Sequence, residues 1–326
     1  MTATQQPCAT CSISVERAQV SVQPLRIATR GSRQAMTQST AIASAIERVT
    51  NRPVELIVID TIGDRTQADG VPLHSIGGQG VFVKEVQRAV LDGTADIAVH
   101  SAKDLPSEVA AGLQLAAFTE RRDPRDVLVG RALDDLDPGA TVATGSVRRR
   151  AQLAAQRPDL RFDELRGNIE TRLSKVPERG SIVMAIAALQ ILELTDHVAE
   201  VLSIDQFVPA VGQGCVAVEC RADDEPTAEV LRRIDHPATR RAVEIERAYL
   251  AELGSGCSLP VAGHVDGATL RVFLADPDRG VSVSERVELS SSIDATDAWG
   301  PDLELAQRLA ASVTDRLAAI GSDDVR

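Results

Sequence analysis

The sequence predicts an α/β fold built as two doubly wound halves, followed by a smaller α+β part. With 326 residues, the chain is longer than one ordinary domain of roughly 100–200 residues. From residue 25 onward, short apolar runs alternate with helical patterns, and this alternation restarts after the segment RRDPRD at residues 121–126. From about His236 the pattern changes to consecutive strands between two long helices.

The first half contains four short apolar runs that are typical of buried strands. Its predicted elements are, in order, a strand at Leu25–Thr29, a helix capped by Ser32 and ending near Val49, a strand at Val54–Asp60, a helix that opens at Gly77–Gly80 and ends near Leu91, and strands at Ala95–His100 and Leu113–Phe118. Strands that alternate with helices at this spacing indicate a mostly parallel sheet with helices on both faces.

The second half repeats this pattern over a similar length. Its predicted elements are strands at Asp126–Val129 and Thr141–Thr144, a helix from Ser146 to about Gln156, a strand at Arg161–Leu165, a short helix at Asn168–Lys175, a strand at Ser181–Ala185 and a helix ending near Leu194. The Gly- and Pro-punctuated segment Val208–Gly214 suits a hinge. The strand predicted at Cys215–Cys220 could then return to the first half.

The last part combines a long helix at Thr239–Leu253 with three alternating segments and a final helix. These segments are Val261–Val265, Thr269–Leu274 and Val281–Leu289, and the final helix covers about Asp302–Ile320. We therefore predict a disordered tail at residues 1–23, a first α/β domain at 24–120 with 214–235, a second at 121–213, and an α+β third domain at 236–326.

Composition excludes several classes of function. The formal charge is −12, with one Trp and one Tyr, so neither a global basic footprint nor aromatic stacking platforms for nucleic acid are present. No stretch approaches the roughly 20 apolar residues of a membrane helix, and the polar N-terminus does not resemble a secretory signal. Five scattered Cys fit a reducing compartment, so we expect a cytoplasmic protein without membrane or nucleic-acid partners.

Two cysteine-containing segments differ in how strongly their surroundings indicate a function. Cys8 and Cys11 have the spacing of a redox or half-zinc site, but they lie in the polar tail outside any βαβ unit, and we expect no function there. Cys257 lies in the loop GSGCSLP at residues 254–260, whose glycines allow a ligand to approach the backbone closely. On pattern alone a lone Cys is more often an inert buried side chain than a reactive thiol.

Two further segments carry charged residues at predicted strand ends. Ser101, Lys103 and Asp104 follow the strand that ends at His100, and in open α/β sheets ligands bind at the carboxyl ends of strands. A solvated turn is the alternative. Between Ser146 and Lys175 there are eight basic and four acidic side chains. Two Arg in the first turn of a helix oppose its dipole, which favours a bound anion, although a solvated basic face stays open.

Taken together, these segments resemble the porphobilinogen deaminase family, also called hydroxymethylbilane synthase. The matching segments, which cover roughly residues 25–290, are RIATRGS, GGQGVFVKE, ADIAVHSAKDLP, RRDPRD, GSVRRRAQL, LRGNIETRLSK, PAVGQG, IERAYLAEL and GSGCSLPV. The resemblance implies two doubly wound domains similar to type II periplasmic binding proteins, hinge strands, and a small α+β domain that carries the cofactor cysteine.

The resemblance also implies the reaction. Family members join four porphobilinogen molecules head to tail with loss of ammonia, on a dipyrromethane primer held by a thioether, and then release hydroxymethylbilane by hydrolysis. Here the attachment residue corresponds to Cys257 and the catalytic carboxylate to Asp104. We expect a monomer that needs no metal. The residues implied to bind the carboxylates of cofactor and substrate are Arg30, Ser32, Ser101, Lys103, Thr144, Ser146, Arg148, Arg149, Arg166, Gly167, Arg172 and Gln213.

The chain departs from the family pattern at several positions. Ser75 and Gln79 stand where many members carry Lys, Gly145 replaces a common Ser, and Ile191 stands where an active-site Arg is expected. The loop at 254–256 reads GSG. A non-catalytic two-lobed anion-binding protein is the alternative function. It leaves the Cys-bearing loop without a purpose, and the intact mass of the purified protein distinguishes the two because a covalent dipyrromethane adds mass.

Overall fold

The computed structural model describes residues 23–61, 80, 82–254, 260–290 and 299–320. Several predictions therefore fall outside the described residues. They are the disordered tail apart from residue 23, the positions Cys8, Cys11, Ser75 and Gln79, and the attachment residue Cys257.

The first sheet has five strands in the order β2-β1-β3-β10-β4. These strands are β1 (Leu25–Arg30), β2 (Val54–Ile59), β3 (Ile97–Ser101), β4 (Leu113–Phe118) and β10 (Val216–Arg221). Successive residues of β1 enter different cores, because Ile27 packs with one apolar cluster and Ala28 with another. Helix α1 (Arg33–Thr50) covers the face of Ile27, and helix α2 (Lys84–Leu91) covers the opposite face.

The second sheet also has five strands, in the order β7-β6-β8-β5-β9. They are β5 (Asp126–Val129), β6 (Thr141–Ala143), β7 (Arg161–Asp163), β8 (Ser181–Ala185) and β9 (Val198–Val201). The helices beside them are α3 (Val147–Gln156), α4 (Ile169–Leu173) and α5 (Ile186–Ile191). Val127 and Leu128 again point to separate apolar clusters, so helices cover both faces.

The prediction of mostly parallel sheets is confirmed, since four of the five strands in each sheet run in one direction, and the exceptions are β10 and β5, which enter from the other half. β1 runs parallel to β2 and β3, but β10 pairs antiparallel with both β3 and β4. β5 likewise pairs antiparallel with β8 and β9. The physical reason is that these strands arrive directly from the neighbouring half and do not follow a crossover helix of their own sheet. The predicted return of the chain to the first sheet through residues 215–220 is confirmed.

The third sheet is antiparallel throughout, with strands β11 (Val261–Asp266), β12 (Thr269–Asp276) and β13 (Val281–Glu288). After helix α6 (Glu225–Arg232), which packs on the first sheet, come α7 (Pro237–Glu252) and α8 (Gly300–Ala319), which share an apolar core with this sheet. The α/β class with an α+β last part is thereby confirmed, while the domain boundaries stay a prediction. None of the helices in the described ranges is long and apolar enough to cross a membrane.

A buried ionic cluster joins the third sheet to the segments that connect the first two. Glu246 of α7 is fully buried, and its carboxylate lies 3.0 Å from Nη2 of Arg121 and 3.3 Å from Nδ1 of His264. It also accepts hydrogen bonds from the backbone N–H of Gly212 and of Val265, both at 2.8 Å. Burial alone would raise the pKa of Glu246, but Arg121 and His264 together outweigh burial and lower this pKa to about 2.

We predict that Glu246→Gln lowers the free energy of unfolding by roughly 3 kcal/mol, because Arg121 keeps its charge in a buried place without a counter-ion. The folded pKa of Glu246 is below its ordinary value of 4.5. Its contribution is therefore complete above that pH and is lost as the pH falls towards 2. Thermal unfolding across this pH range should show a steeper loss of stability in the parent than in the variant.

Glu304→Gln is the matched control, because Glu304 is exposed on α8 in a pair with Arg308. Surface changes of this kind usually alter stability by no more than about 0.5 kcal/mol. Equal unfolding temperatures for the two variants at neutral pH would show that the buried cluster does not stabilise the fold.

Candidate active site

A cavity of about 360 Å³, called the cleft cavity below, lies between the first two sheets. Its walls include residues at or just after the carboxyl ends of strands in both sheets, among them Arg30 at the end of β1, Ser101 at the end of β3 and Thr144 after β6. This is the position at which open α/β sheets bind ligands.

The cleft cavity brings together all the predicted site residues that the structure describes. These residues are Arg30, Ser32, Ser101, Lys103, Asp104, Thr144, Ser146, Arg148, Arg149, Arg166, Gly167, Arg172 and Gln213. They come from segments more than a hundred residues apart in the chain, so the fold and not local sequence assembles them. Their individual roles stay predictions, and Cys257 lies outside the described residues.

Lys103 and Asp104 belong to a short 3-10 turn directly after β3. Ala102 anchors this turn, because it is buried and its N–H donates to the carbonyl of Cys215 at 3.0 Å. Gly212 has a positive φ of 70°, and a Cβ at this position would lie 3.0 Å from the Ala102 carbonyl carbon. Only glycine therefore lets the hinge segment support the turn so closely.

The two charged side chains of this turn have different surroundings. The Asp104 carboxylate is exposed to the cleft and makes no hydrogen bond or ion pair with a described residue. Lys103 is half-buried, and burial together with the nearby Arg149 lowers the pKa of its ammonium group to about 8. The turn thus presents a carboxylate beside a cation whose charge an anionic ligand would stabilise.

Arg148 and Arg149 are not a solvated face, because each is only 6% exposed. Ser146 caps the helix that carries them and accepts a hydrogen bond from the Arg149 N–H at 3.4 Å. Both guanidinium groups contact the fully buried carboxylate of Asp126, Arg148 at 2.8 Å and Arg149 at 2.7 Å. Each also donates from Nη1 to a backbone carbonyl, Arg148 to that of Val208 and Arg149 to that of Val183.

Asp126 is the main residue that sequence analysis missed. Burial alone would raise its pKa, but Arg148 and Arg149 outweigh burial and hold this pKa below the usual range. Gln213 also reaches it, since its Nε2 donates to the Asp126 carboxylate at 3.0 Å and to the Pro124 carbonyl at 2.6 Å. The available signal was an ionisable residue that opens an otherwise apolar strand.

The loop after β7 and helix α4 carry cations that are less well compensated. Arg166 has a buried Nη1 atom without a hydrogen-bond partner among the described residues. Burial, with the nearby Arg149, lowers the pKa of Arg172 to about 10, and its Nε donates to the Gly167 carbonyl at 2.7 Å. Gly167 has a φ of 127°, and a Cβ there would lie 2.7 Å from Thr171, so the close turn requires glycine.

Two more contacts shape the mouth of the cleft cavity. The Arg30 guanidinium lies over the ring of Phe82, 4.1 Å from its centroid. Across the mouth, Arg33 of α1 contacts Glu170 of α4 at 3.2 Å, and both side chains are exposed. None of Phe82, Arg33 and Glu170 was predicted as a site residue, because Arg33 and Glu170 meet only when the two halves come together and Phe82 reaches Arg30 only when the first half folds.

The departures from the family pattern have separate structural outcomes. A Cβ at Gly145 would lie 2.8 Å from the Leu165 carbonyl oxygen, so a serine there would force the neighbouring loop to shift. Ile191 does not line the cleft cavity but an adjoining one.

The cleft cavity as a whole is strongly cationic within an acidic protein. Seven lysine and arginine residues line it against the three carboxylates of Asp104, Glu164 and Glu170. In the part of the chain that the structure describes, no group of three or more His, Cys, Asp or Glu could hold a metal ion. The arrangement suits a ligand with several carboxylates, since arginine forks bind carboxylates bidentately.

Comparison with known proteins identifies the family. The model of the porphobilinogen deaminase dipyromethane cofactor binding domain matches residues 25–229, and that of the porphobilinogen deaminase C-terminal domain matches residues 240–311. The methionine binding protein MetQ gives a TM-score of 0.41 at 12% identity over 64% of this chain and 87% of its own, a similarity too low to support an argument.

Relatives from distant organisms agree with the family models. The probable porphobilinogen deaminase of Methanopyrus kandleri is 46% identical over 257 residues, which are 77% of this chain and 86% of that protein. The porphobilinogen deaminase of Geobacter sulfurreducens is 42% identical over 88% of this chain and 91% of its own length. That of Thermobifida fusca is 45% identical over 85% of this chain and 83% of its own. The chain therefore belongs to the porphobilinogen deaminase family.

Proposed function

We propose that the cleft cavity is the active site, with Asp104 as its catalytic carboxylate and Cys257 as the attachment residue of the cofactor. The chain is a hydroxymethylbilane synthase of tetrapyrrole biosynthesis. It joins four porphobilinogen molecules head to tail with loss of ammonia on a covalent dipyrromethane, and then hydrolyses the product off. The exposed carboxylate of Asp104 within a cavity of cations is the observation that carries the assignment.

The residues of the cleft cavity fit a dipyrromethane. When bound, this group supplies the pyrrole carbon on which the chain begins to grow. The buried, unpartnered Nη1 of Arg166 and the excess of positive charge suit its acetate and propionate groups. We assign carboxylate binding to Arg30, Lys103, Arg166 and Arg172, with hydroxyl groups of Ser32, Ser101, Thr144 and Ser146 assisting.

Arg148 and Arg149 contribute in a more constrained way. Each already contacts Asp126 and a backbone carbonyl, so their side chains are held in place before a ligand arrives. Preorganised donors need little rearrangement when they bind an anion. In this proposal Asp126 positions the two arginines without touching the substrate, and Gln213, which donates to Asp126 and lines the cleft cavity, keeps its predicted place in the ligand site.

Asp104 acts on charge that appears during the reaction. Loss of ammonia from porphobilinogen leaves a cationic carbon, and the pyrrole N–H groups share this positive charge. A fixed carboxylate beside them stabilises that charge and can accept a proton. The neighbouring cations Lys103 and Arg172 interact electrostatically with this carboxylate.

We predict that Asp104→Asn folds, acquires the cofactor, and turns over about 100- to 1000-fold more slowly, because it loses an electrostatic partner used mainly in the transition state. Asp104→Glu should retain part of the activity, since the charge remains with a displaced geometry. The measurement is single-turnover elongation of cofactor-loaded protein, followed by mass spectrometry of the bound chain.

Glu164→Gln is the control for this experiment, because Glu164 is a second exposed carboxylate that lines the same cavity. We expect it to elongate within a few-fold of the parent. If Asp104→Asn elongates at the parent rate, or if both variants slow equally, the catalytic role does not belong to Asp104.

We predict that Cys257→Ser folds but carries no normal covalent adduct and has no normal activity, because a hydroxyl is a far poorer nucleophile than a thiolate. Burial raises the pKa of the Cys215 thiol to about 12 and that of Cys220 to about 11, so neither forms a thiolate readily. Intact mass measures the adduct. Cys220→Ala and Cys8→Ser should keep it, and a normal adduct in Cys257→Ser would disprove the attachment site.

We also propose that the enzyme works as a cytoplasmic monomer. The Cys215 and Cys220 thiols are buried and free, which suits a reducing compartment. One chain supplies every described wall of the cleft cavity, so the site needs no second copy. Light scattering of the purified, cofactor-loaded protein should give the mass of one chain, and a stable dimer would contradict the proposal.

A further inference from the structure

A second cavity of about 850 Å³, called the second chamber below, adjoins the cleft cavity. Its walls are one face of α1, the α5 region, and the segments 119–122 and 213–216 that connect the first two sheets. The two cavities share the residues Gln34, Gln38, Ser101, Lys103, Ala188 and Gln213. The second chamber therefore begins directly beside the turn that carries Asp104.

The α1 wall gives the second chamber its length. Gln34, Thr37, Ala41, Ala45 and Arg48 line it and recur every three or four residues along the helix, so they share one face. At 1.5 Å per residue, the distance along the helix from Gln34 to Arg48 is about 21 Å. These five residues are small or polar, Ile42 is the large apolar residue of α1 that also lines the chamber, and the helix uses Ile42 and Ile46 for the core.

The charges of the second chamber also point to an anion. Arg48 and Arg122 line it and are exposed. Neither has an ion-pair partner among the described residues. The acids on its walls are Glu120 and Glu193. Arg121 is already paired with Glu246, and the basic side chains of Arg48, Arg122 and Lys103 still outnumber these acids. Because α5 contributes the apolar Ile191, the free cations come from α1 and from the connecting segment.

The proposed function creates a need for such a space. The chain that grows on the dipyrromethane reaches six pyrrole rings before release, each with an acetate and a propionate. A cavity of about 360 Å³ is near the lower limit of pockets that hold a single drug-sized ligand. The cleft cavity therefore cannot hold all the rings while its turn also stays open to the next porphobilinogen.

We propose that the second chamber binds the rings that leave the cleft cavity as the oligopyrrole lengthens, with Arg48 and Arg122 as carboxylate partners. This inference rests on the proposed function and adds a binding site for its late intermediates. The ligand is a linear polycarboxylate, and the site acts only after the first additions. Ile191 and the alanines of α1 contact pyrrole rings, while Thr37 and Gln38 offer hydrogen bonds.

The test compares the single additions in full-length, cofactor-loaded protein. Thr37→Glu adds a negative charge to the α1 wall, and Arg48→Glu and Arg122→Glu each replace a cation. Native mass spectrometry after mixing with increasing equivalents of porphobilinogen gives the rate of each addition. We expect unchanged cofactor content and first addition, and third and fourth additions slowed roughly two- to fivefold for each variant and more for the double arginine variant.

The matched control is Arg308→Glu, which reverses an exposed arginine on α8 remote from both cavities. It should elongate like the parent at every step. A second measurement reports occupancy directly: hydrogen exchange of the α1 amides at residues 37–48 should slow in the parent only when later rings are present.

The outcomes separate this inference from the proposed function. We expect Asp104→Asn to slow every addition by the same factor. If the proposed active site is wrong, this uniform slowing is absent. The ratio of late to early addition rates tests only the second chamber. Chamber variants that lose the cofactor, slow all four additions equally or match the parent throughout would overturn the second chamber as the oligopyrrole site. Unchanged exchange of the α1 amides in the fully elongated parent would overturn it as well.

Discussion

The contact of Asp126 with Arg148 and Arg149 is the interaction on which the site depends. It joins the start of β5 to the first turn of α3, and Gln213 adds the connecting segment to the same carboxylate. Two buried guanidinium groups at a helix start would repel each other and oppose the helix dipole. One buried carboxylate compensates both positive charges, so the two arginine side chains are held in fixed positions in the wall of the cleft. Removal of this single charge would leave both cations buried without a counter-ion, which is strongly unfavourable.

The positive charges of the cleft are compensated unevenly by protein carboxylates. Arg148 and Arg149 have a protein counter-ion, whereas Arg166 and Arg172 face one another and the cavity with less. Burial, with repulsion from Arg149 as the second cause, lowers the pKa values of both Lys103 and Arg172. A ligand with several carboxylates relieves this imbalance of charge, so anion binding and the stability of the cleft are linked. The acidic remainder of the chain keeps this attraction local.

The sequence predicts the strand ends and the residues next to them well, because local patterns determine both. Asp104 was found since it follows a buried strand, and Ser32 and Ser146 were found as helix caps. Contacts between distant segments could not be predicted: Asp126 meets Arg149 only in the folded chain, and Phe82 meets Arg30 only there. The antiparallel direction of β10 was missed for a related reason, because it depends on the end of the sheet at which the chain enters the strand. β9 gives no strand signal because Glu200 interrupts its apolar run, whereas β5, which is equally long, continues with three apolar residues after Asp126.

The return of the chain through β10 has a topological meaning. β4 and β10 are neighbouring antiparallel strands in which Phe118 pairs with Ala217. Everything between them, including the whole second sheet, is inserted into what would otherwise be the turn of a β-hairpin. The chain therefore enters and leaves the inserted part at adjacent points, and Arg121 and Gly212 lie at these two crossings. The Glu246 carboxylate contacts both Arg121 and Gly212. One side chain of the last part therefore holds the two connecting segments together and restricts how far the first two sheets can move apart.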